Sequence, residues 1–536
     1  MLHHPPYYLL MKSAFLLALG ALALTACNPD TSQTTATTGT PVAADSAAAP
    51  AAAVVPPATP QYRPAYHFAP AAHWMNDPNG MVYLNGTYHL FFQYYPDGMV
   101  WGPMHWGHAT SRDLVSWQEQ PIALYPDSLG WIFSGSAVID ANNTAGFGKN
   151  AMVAIFTHHN DLEEKKHTGK HEYQSLAYSL DEGKTWTKYA GNPVLPNPGI
   201  PDFRDPKVSW HEASRQWVMT LAAKDRISFY GSPNLKNWTK LSEFGEKLGA
   251  HGGVWECPDL FPLQLNGQTH WVLIVNLNPG APNGGSGTQY FIGQFDGKTF
   301  TPSTTTTKWA DYGPDDYAGV TWNNTPGRHI FLGWMSNWTY ANQVPTSPWR
   351  NAMTIPRELG LRRQGTEIYL TSQPVRELQR LAPAPTVLRN VAVQQAPIDL
   401  TSRLKTSSDK RRLTLSTAQL TDFELVLSNA AGEELVLGYD AAARNYFIDR
   451  SKAGQVDFNK EFASRSTAPR LTQAPGTALT LYFDAASIEL FADEGLTAMT
   501  AVFFPTQPLT RVQLRSRSGI TFQEISNADL VVKPAN

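Results

Sequence analysis

The sequence is poor in cysteine, in net charge and in long apolar runs, and each shortage narrows the class of protein. Its 536 residues include only two cysteines, Cys27 and Cys257, too few for a disulfide framework. The 42 basic and 45 acidic residues leave a net charge of -3, which would not attract a phosphate backbone. Nucleic acid is therefore not an expected partner. Beyond the first 27 residues, no run is apolar enough to span a bilayer.

Aromatic residues, glycine and proline are abundant instead. The chain has 16 Trp and 21 Tyr, whose rings suit stacking against sugars as well as packing. Its 39 Gly and 40 Pro separate many short β-branched or aromatic runs, which indicates a turn-rich, mostly β protein. The length is too great for one core, so we expect two domains or more.

The N-terminal segment predicts export and a lipid anchor. "MKSAFLLALGALALTAC" has a basic start, a short apolar run and a small-residue ending, and it resembles a bacterial lipoprotein signal. Cys27 would then be the lipidated residue, leaving Cys257 without a disulfide partner. We interpret 1–27 as the signal segment and the Ala, Thr and Pro-rich 28–61 as a disordered tether. The protein would be anchored to the cell envelope, touching the membrane through the lipid alone.

A weak repeat runs through the middle of the chain. "SRDLVSW", "SLDEGKTW", "SPNLKNW" and the looser "FDGKTF" each combine a polar turn with a closing aromatic ring, at intervals of 69, 52 and 62 residues. A second series places one polar marker ahead of a strand-like run in each unit. These markers are Asp77, Ser134, Asp205, Glu256 and Tyr317. The two series predict a five-bladed β-propeller over 62–365, whose innermost strands would bring the five markers together.

The character of the sequence changes after about residue 385. Segments such as "LTLSTAQLTDFELVLSN" alternate apolar and polar residues between polar turns, which predicts a C-terminal β-sandwich over 385–536. Residues 366–384 would link the two domains, with "SQPVRELQRL" as a short helix. The expected fold class is all-β.

Three of the markers are acids suited to cleaving a glycosidic bond. That reaction needs one carboxyl to protonate the leaving oxygen and a second to meet the oxocarbenium-like carbon. Asp77 lies in "WMNDPNG", whose residues favour a stiff turn and a fixed nucleophile. Glu256 has apolar neighbours in sequence, so we expect burial to raise its pKa. Asp205 follows Arg204, which we expect to keep it ionised.

The motifs around these acids resemble glycoside hydrolase family 32, the β-fructosidases. "WMNDPNG", "FSGSAV", "FRDPK", "WECPDL" and "GWMSNWTYAN" are similar to the family from about Tyr62 onwards, most of all to levanases and exo-inulinases. The resemblance implies a propeller with a sandwich. It also implies Asp77 as nucleophile, Glu256 as acid and base, and Asp205 as transition-state stabiliser. The implied substrate contacts are Trp74, Asn76, Gln93, Trp101, Phe133, Ser134, Arg204 and Trp334.

The resulting hypothesis is a retaining exo-β-fructosidase that releases terminal fructose from levan, inulin or sucrose and needs neither cofactor nor metal. A fructosyltransferase at the same site, a non-catalytic fructan-binding lipoprotein and an inverting enzyme acting on arabinans are the alternatives. At high sucrose, longer oligosaccharides would indicate the fructosyltransferase and free fructose the hydrolase. Fructan binding without release of sugar would favour the binding lipoprotein. A carboxyl separation of about 6.5–9.5 Å favours the third.

Two further features have simpler interpretations. Cys257 is apolar-flanked and has no evident histidine base, which is typical of an inert thiol. His167 and His171 have i, i+4 spacing with Glu172 adjacent, but the neighbouring "EEKK" and Gly169 favour a solvated loop over a metal site.

Overall fold

Short strands with apolar faces account for most of the structure, a computed structural model that describes residues 60–406 and 408–532. The predicted signal with Cys27, and all but the last two residues of the tether, lie outside those residues. In the described part of the chain the helices are one short α-helix, α1 (Asp161–Glu164), and the 3-10 helices Arg376–Leu381 and Asp493–Gly495. No described helix has the length and apolar character needed to cross a membrane.

The first part of the chain forms five sheets, which we number I to V and in which all strands but one short one pair antiparallel. Sheet I contains β1 (His73–Leu84), β2 (Thr87–Tyr95), β3 (His105–Ser111) and β4 (Gln118–Leu124). Sheet II contains β5 (Trp131–Asp140), β6 (Ala151–His159), β7 (Glu172–Ser179) and β8 (Thr187–Lys188). Sheet III contains β9 (Phe203–His211), β10 (Gln216–Ala223), β11 (Arg226–Ser232) and β12 (Thr239–Phe244).

The two remaining sheets of this part follow the same order with small additions. Sheet IV contains β13 (Val254–Leu265), β14 (Gln268–Asn278), β15 (Gly287–Phe295), β16 (Phe300–Pro302) and β17 (Lys308–Trp309). Sheet V contains β18 (Tyr317–Thr321), β19 (Ile330–Trp334), β21 (Arg357–Gln364) and β22 (Glu367–Pro374). Between β19 and β21, the short strand β20 (Trp349–Arg350) pairs in parallel with β1 of sheet I.

The repeat seen in the sequence coincides with one hairpin in each of sheets I to IV. Each repeated motif joins the third strand of its sheet to the fourth. Its Asp or Asn side chain accepts backbone N–H groups of the turn, as Asp113 does from Val115 and Ser116. The closing ring packs against a hydrophobic cluster.

The first strands of the five sheets contact one another in a cycle. β1 contacts β5, β5 contacts β9, β9 contacts β13, β13 contacts β18, and β18 contacts β1. Five stretches far apart in sequence therefore meet around one region. The fully buried β6, "AMVAIFTHH", illustrates why second strands are apolar on both faces, since neighbouring sheets cover both of them.

The C-terminal part contains two six-stranded sheets, VI and VII. Sheet VI contains, in spatial order, β23 (Thr386–Val393), β34 (Ile520–Asp529), β25 (Arg411–Thr417), β30 (Thr477–Asp484), β31 (Ser487–Ala492) and β32 (Thr497–Val502). Sheet VII contains β24 (Ile398–Asp399), β33 (Arg511–Arg515), β26 (Phe423–Ser428), β27 (Glu434–Asp440), β28 (Asn445–Lys452) and β29 (Arg465–Pro469). One hydrophobic cluster contains residues of both sheets, among them Leu413 and Leu425.

The predicted linker over 366–384 is wrong in part. Residues Glu367–Pro374 form β22, which pairs along its whole length with β21 of sheet V. Only the segment after Pro374 connects the two parts of the chain, and it holds the 3-10 helix Arg376–Leu381, where the sequence predicted a short helix. The strand was missed because "TEIYLTSQP" is polar, as suits a partly exposed strand at the edge of a sheet.

Candidate active site

Each first strand of sheets I to V carries an irregularity at or beside its predicted marker. In every case two residues on the first strand face one residue on the second, which is the definition of a β-bulge. The bulged pairs are Asn76-Asp77, Phe133-Ser134, Asp205-Pro206, Cys257-Pro258 and Ala318-Gly319. A bulge bends the strand and redirects its side chains, so five bulges around one region turn polar groups towards a common space.

"WMNDPNG" is therefore not the tight turn that its composition suggests. The whole motif lies inside β1, and the bulge at Asn76 and Asp77 accommodates Pro78 within the strand. Asp205 has a φ of 65° at its bulge, and Cys257 has a φ of 41° directly after Glu256. Such left-handed conformations are costly for residues other than glycine, and they cluster at functional sites.

The bulges surround a pocket of about 240 Å³. Most of the predicted site residues line it, namely Asn76, Asp77, Gln93, Trp101, Phe133, Ser134, Arg204, Asp205 and Glu256. The pocket also contains residues that the sequence did not single out as a sugar site, namely His159, Glu164, His171, Glu172, Asp202 and Trp338. Trp74 and Trp334 are fully buried and lie behind the pocket wall.

Asp77 is held at both carboxylate oxygens. Ser134 Oγ donates to Asp77 Oδ2 at 2.6 Å, and Asn76 Nδ2 donates to Oδ1 at 2.9 Å. Asn76 is itself oriented by Trp74, whose Nε1 donates to Asn76 Oδ1 at 2.8 Å. Trp74, predicted as a substrate contact, is in this structure a positioning residue for Asn76. Two charge-assisted hydrogen bonds leave the Asp77 carboxylate little freedom to rotate.

Glu256 is bound on one side by a cation and on the other by a phenol. Arg204 donates to Glu256 Oε1 through Nη2 at 3.0 Å and Nε at 3.2 Å, and the Tyr317 hydroxyl donates to Oε2. Burial raises the pKa of Glu256, Arg204 and Tyr317 oppose that rise, and the charge of Asp77 adds to it. The predicted direction is confirmed.

Burial is the cause that the sequence suggested, but the groups that bury Glu256 are different ones. Trp255, the neighbour expected to supply an apolar setting, points away into the core shared by sheets III and IV. Successive side chains of a strand face opposite sides, so apolar neighbours in sequence say little about the surroundings of a strand residue. The pocket itself buries Glu256 close to a second carboxylate.

Asp205 does not behave as its neighbour in sequence predicts. The hydrogen bonds of the Arg204 side chain go to Glu256, Glu172 and Asp202. Asp205 Oδ2 instead accepts the backbone N–H of Cys257 at 2.9 Å. Burial raises the pKa of Asp205 to about 8; the charge of Arg204 opposes that rise, and the charges of Glu256 and Asp77 add to it. The expectation that Arg204 keeps this carboxyl ionised is therefore wrong.

Arg204 connects the pocket to an acid that the sequence analysis placed on a solvated loop. Glu172 is buried at the start of β7 and accepts Arg204 Nη1 at 3.0 Å and the backbone N–H of Phe203 at 2.7 Å. Burial would raise the pKa of Glu172, but the guanidinium charge and His159 lower it to about 2. No local signal identifies Glu172, because its partner lies 32 residues further along the chain.

An aromatic group covers one side of the pocket. Trp101 is 38% exposed and meets Trp131 and Phe133 edge to face, with ring centroids 5.6 and 6.1 Å apart. Trp338 also lines the pocket, and its ring stacks on that of Trp74 with the ring centroids 5.9 Å apart. Trp338 takes the place that was predicted for Trp334. The signal was present, since both residues belong to "GWMSNWTYAN".

The Cys257 thiol lies among the acids. Its Sγ donates to Asp77 Oδ2 at 3.5 Å and to Asp205 Oδ2 at 3.6 Å. Burial and the surrounding carboxylates raise the pKa of Cys257 well above its ordinary value. The thiol therefore stays protonated, which agrees with the interpretation of Cys257 as an unreactive residue.

An acid with a raised pKa in a small pocket with a second, firmly held carboxylate is the arrangement of a glycoside hydrolase. The chain matches the family "Glycosyl hydrolases family 32 N-terminal domain" over residues 67–374 and "Glycosyl hydrolases family 32 C terminal" over residues 377–532. It therefore belongs to glycosyl hydrolase family 32.

Relatives and solved structures agree with this membership. The chain is 47% identical to a levanase of Bacillus subtilis over 85% of this chain and 68% of that protein. It is 42% identical to an extracellular exo-inulinase of Aspergillus niger over 86% of this chain and 93% of that protein. A crystal structure of exo-inulinase from Aspergillus awamori aligns with a TM-score of 0.78 at 38% identity, covering 88% of this chain and 99% of that one. The structure of a beta-fructofuranosidase from Schwanniomyces occidentalis complexed with fructosyl-erythritol aligns with a TM-score of 0.80 at 33% identity. The alignment covers 88% of this chain and 98% of that one.

Proposed function

We propose that this protein is a retaining exo-β-fructosidase that hydrolyses terminal fructose from levan, inulin or sucrose. The observation that carries the proposal is the shared pocket of Asp77 and Glu256. A volume of about 240 Å³ is below the range of about 300–1000 Å³ usual for larger ligands, which favours one terminal sugar ring over an internal chain segment. The relatives named levanase and exo-inulinase support the substrate class.

In the first step Asp77 attacks the anomeric carbon of the bound fructose. Glu256, protonated because of its raised pKa, gives its proton to the glycosidic oxygen as the bond to that oxygen breaks. The rest of the substrate leaves with that proton, and fructose stays as an ester on the Asp77 carboxylate. Asp77 and Glu256 line the same pocket, as a double displacement at one anomeric carbon requires.

In the second step water replaces the carboxylate. Glu256 is now ionised and takes a proton from water while the water oxygen attacks the anomeric carbon. The ester bond to Asp77 breaks, fructose leaves with its original configuration, and Glu256 is protonated again. Arg204 compensates the charge of Glu256 between the two steps, since it bonds Glu256 Oε1.

The other pocket residues that would contact the sugar divide into hydrogen-bonding and enclosing groups. Asn76, Gln93, Ser134 and Arg204 line the pocket with donors and acceptors suited to sugar hydroxyls, and Asp205 would bind a hydroxyl through its free carboxyl oxygen. Phe133, Trp101 and Trp338 would enclose the ring and exclude water. No step assigns a role to a cofactor or a metal.

We also propose the domain architecture that the resemblance implies. Sheets I to V would be the blades of a five-bladed propeller over about 62–374, and sheets VI and VII a β-sandwich from about 385. The cycle of contacts among the first strands and the parallel pairing of β20 with β1 support the propeller. The cluster shared by sheets VI and VII supports the sandwich.

Time-resolved product analysis on levan, inulin and sucrose in parallel tests the function. Fructose as the sole early product is expected from levan and inulin, and fructose with an equal amount of glucose from sucrose, because the pocket admits one terminal ring. Early oligosaccharides would contradict exo-attack, and longer oligosaccharides at high sucrose would identify a fructosyltransferase. Inversion at the anomeric carbon, followed by NMR, would contradict the double displacement.

The two acids are tested by Asp77→Asn and Glu256→Gln. Each is expected to lower kcat on sucrose by at least about 10³-fold, because each removes a group that acts on the reacting atoms. The control is Asp225→Asn, at a partly exposed ion pair between β10 and β11, where normal turnover is expected. Near-normal activity of Asp77→Asn would remove the assignment of the nucleophile.

We propose that the protein is exported and anchored through lipidated Cys27. Relatives named extracellular support export, and the signal-like sequence before Cys27 supports the anchor. Cys27→Ser is expected to move the enzyme from the membrane fraction to the soluble fraction of fractionated cells. A variant that stays in the membrane fraction would contradict the anchor.

A further inference from the structure

Two histidines and a glutamate meet at one end of sheet II, where the ladder between β6 and β7 stops. His159 ends β6 and is paired in register with Glu172, which begins β7. His171 precedes Glu172, and its carbonyl accepts the backbone N–H of Asn160 at 2.7 Å, closing the loop that contains α1. One ligand atom from each of His159, His171 and Glu172 lies within 4.8 Å of the others. The ladder thus fixes three metal-ligating side chains in one place.

His159 lies between two carboxylates. Its Nε2 is 3.2 Å from Glu164 Oε2, and its Nδ1 is 3.4 Å from Glu172 Oε1. A cation between Nδ1 and Glu172 Oε1 would be bound by both atoms, while Glu164 holds the outer nitrogen of the ring. A carboxylate that fixes the outer nitrogen of a histidine is the usual support of a metal ligand.

The third ligand has a free nitrogen. In the part of the chain that the structure describes, His171 Nδ1 is buried and has no hydrogen-bond partner. A tetrahedral zinc ion with bonds of about 2.0–2.1 Å sets its ligand atoms about 3.3 Å apart. The 3.4 Å between His159 Nδ1 and Glu172 Oε1 already matches that separation, so rotation of the His171 ring would complete three ligands.

The donor set selects the kind of ion. Two imidazole nitrogens and one carboxylate oxygen suit Zn²⁺, whereas Ca²⁺ and Mg²⁺ prefer sites made of oxygen. The fourth position would open to the pocket, which these three residues line together with Asp77 and Glu256. The carboxylates of Glu164 and Asp202 in the same pocket add negative charge that would favour a cation.

We propose that His159, His171 and Glu172 form a zinc-binding site and that the bound ion inhibits hydrolysis. Zinc would fill part of the pocket and compete with Arg204 for Glu172 Oε1, which Arg204 Nη1 contacts at 3.0 Å. Since Arg204 also holds Glu256, the ion would disturb the acid and obstruct the leaving part of the substrate. The inhibition rests on the proposed hydrolysis, whereas the binding does not.

The sequence offers a matched pair of histidines for the test. His167 and His171 stand on one loop at i, i+4 spacing, but the structure separates them, since His167 is exposed and lies outside the cluster. Calorimetric titration of the chelator-treated protein with ZnCl₂ should give one site in the wild type. His171→Ala should weaken its affinity at least about tenfold, and His167→Ala should leave it within about twofold.

Two further measurements keep the result decisive. Glu164→Gln, which removes the charge that orients His159, should weaken zinc binding about tenfold and leave the thermal midpoint unchanged. MgCl₂ in place of ZnCl₂ should give no heat of specific binding. A wild type without a zinc site, or equal losses in His171→Ala and His167→Ala, would overturn the proposal.

The activity measurement separates this proposal from the proposed function. Zinc should inhibit fructose release with an inhibition constant equal to its calorimetric dissociation constant, and His171→Ala should need at least about tenfold more zinc. Zinc binding without inhibition would overturn the inhibitory role. A wild type that binds zinc but releases no fructose from any of the three substrates would overturn the proposed function and leave the site intact.

Discussion

At the scale of single residues, the pKa of the acid is set by partners that come from other sheets. Arg204 belongs to sheet III and Tyr317 to sheet V, and both hydrogen-bond Glu256 of sheet IV. Each donor stabilises the ionised carboxylate and so lowers the pKa that burial raises. The protonation of Glu256 is therefore a balance of opposing effects that a small change can shift.

Tyr317→Phe should shift this balance in a defined direction. Loss of the hydroxyl removes a hydrogen bond to the ionised form, so the pKa of Glu256 rises further. If Glu256 is the acid, the alkaline limb of the kcat profile on sucrose should move up by about one pH unit, since hydrogen bonds to charged groups contribute about 1.5–3 kcal/mol. The control is Tyr189→Phe, which packs on Phe147 after β8 and should leave the limb unchanged. A downward shift in Tyr317→Phe would contradict the assigned direction.

At the scale of the strand, the bulges decide where the site lies. Two-residue bulges in five first strands turn Asp77, Ser134 and Asp205 into one space and set a bend directly after Glu256 and Tyr317. In unbroken strands the same residues would alternate strictly between faces. The pocket therefore depends on irregular pairing as much as on the identity of its side chains.

Gly135→Ala tests the bulge in β5. A Cβ at Gly135 would lie 2.1 Å from the carbonyl oxygen of Ile155 on β6, so the two strands must separate. We expect a loss of about 1–3 kcal/mol in the free energy of unfolding and a lower kcat, because Ser134 next to it holds Asp77. Urea titration and sucrose kinetics measure both.

Gly360→Ala in β21 is the matched control for this substitution. Its Cβ would meet only the Thr371 hydroxyl, a side-chain atom that can rotate away, at 2.9 Å. Little change in stability or activity is therefore expected. Equal effects of Gly135→Ala and Gly360→Ala would show that the bulge has no special role.

At the scale of the whole molecule, buried charges join the two parts of the chain. His67, just before β1, bonds Asp484 at 2.8 Å and Glu489 at 3.0 Å in sheet VI. Arg357 of sheet V bonds Glu489 and also Asp311 and Asp316. Removing one partner of such a network leaves a buried charge without its partner, which lowers the free energy of unfolding by about 3–5 kcal/mol. The catalytic part and the C-terminal sheets are thus expected to unfold together.

His67 makes the stability of the molecule dependent on pH. Burial alone would lower the pKa of His67, but its hydrogen bonds and the charges of Asp484 and Glu489 raise it from 6.5 to about 9. The folded protein therefore holds an extra proton above pH 6.5, and this stabilisation is lost as the pH rises through 9. The rise corresponds to about 3 kcal/mol.

The expected outcome is a fall in the free energy of unfolding between pH 6.5 and pH 9 that is smaller in His67→Gln. The difference between wild type and variant is the relevant quantity, because Asp205 also has a raised pKa and contributes in both. His167→Gln, at an exposed histidine, should keep the wild-type slope. Identical slopes in wild type and His67→Gln would contradict the role of the His67 pair.

The sequence by itself determined the chemistry and the repeat. Asp77, Asp205 and Glu256 stand out because each belongs to a strand-like unit with its own aromatic hairpin, and local turn chemistry gives those hairpins correctly. Local rules also produced the errors. Composition predicted a turn at "WMNDPNG". Adjacency in sequence predicted that Arg204 would pair with Asp205 and that Trp255 would surround Glu256.

The tertiary structure alone decided how the side chains pair. Because of the bulges and the alternation of faces along a strand, Arg204 pairs with Glu256 and Glu172. Trp338 rather than Trp334 lines the pocket, and His159 lies close to His171. Arg204 is 52 residues from Glu256 and 32 from Glu172, so the proximity of these side chains depends on how the sheets pack. Residue types and spacing encode which groups are present, whereas the energy of a pair depends on a distance that only the packed sheets define.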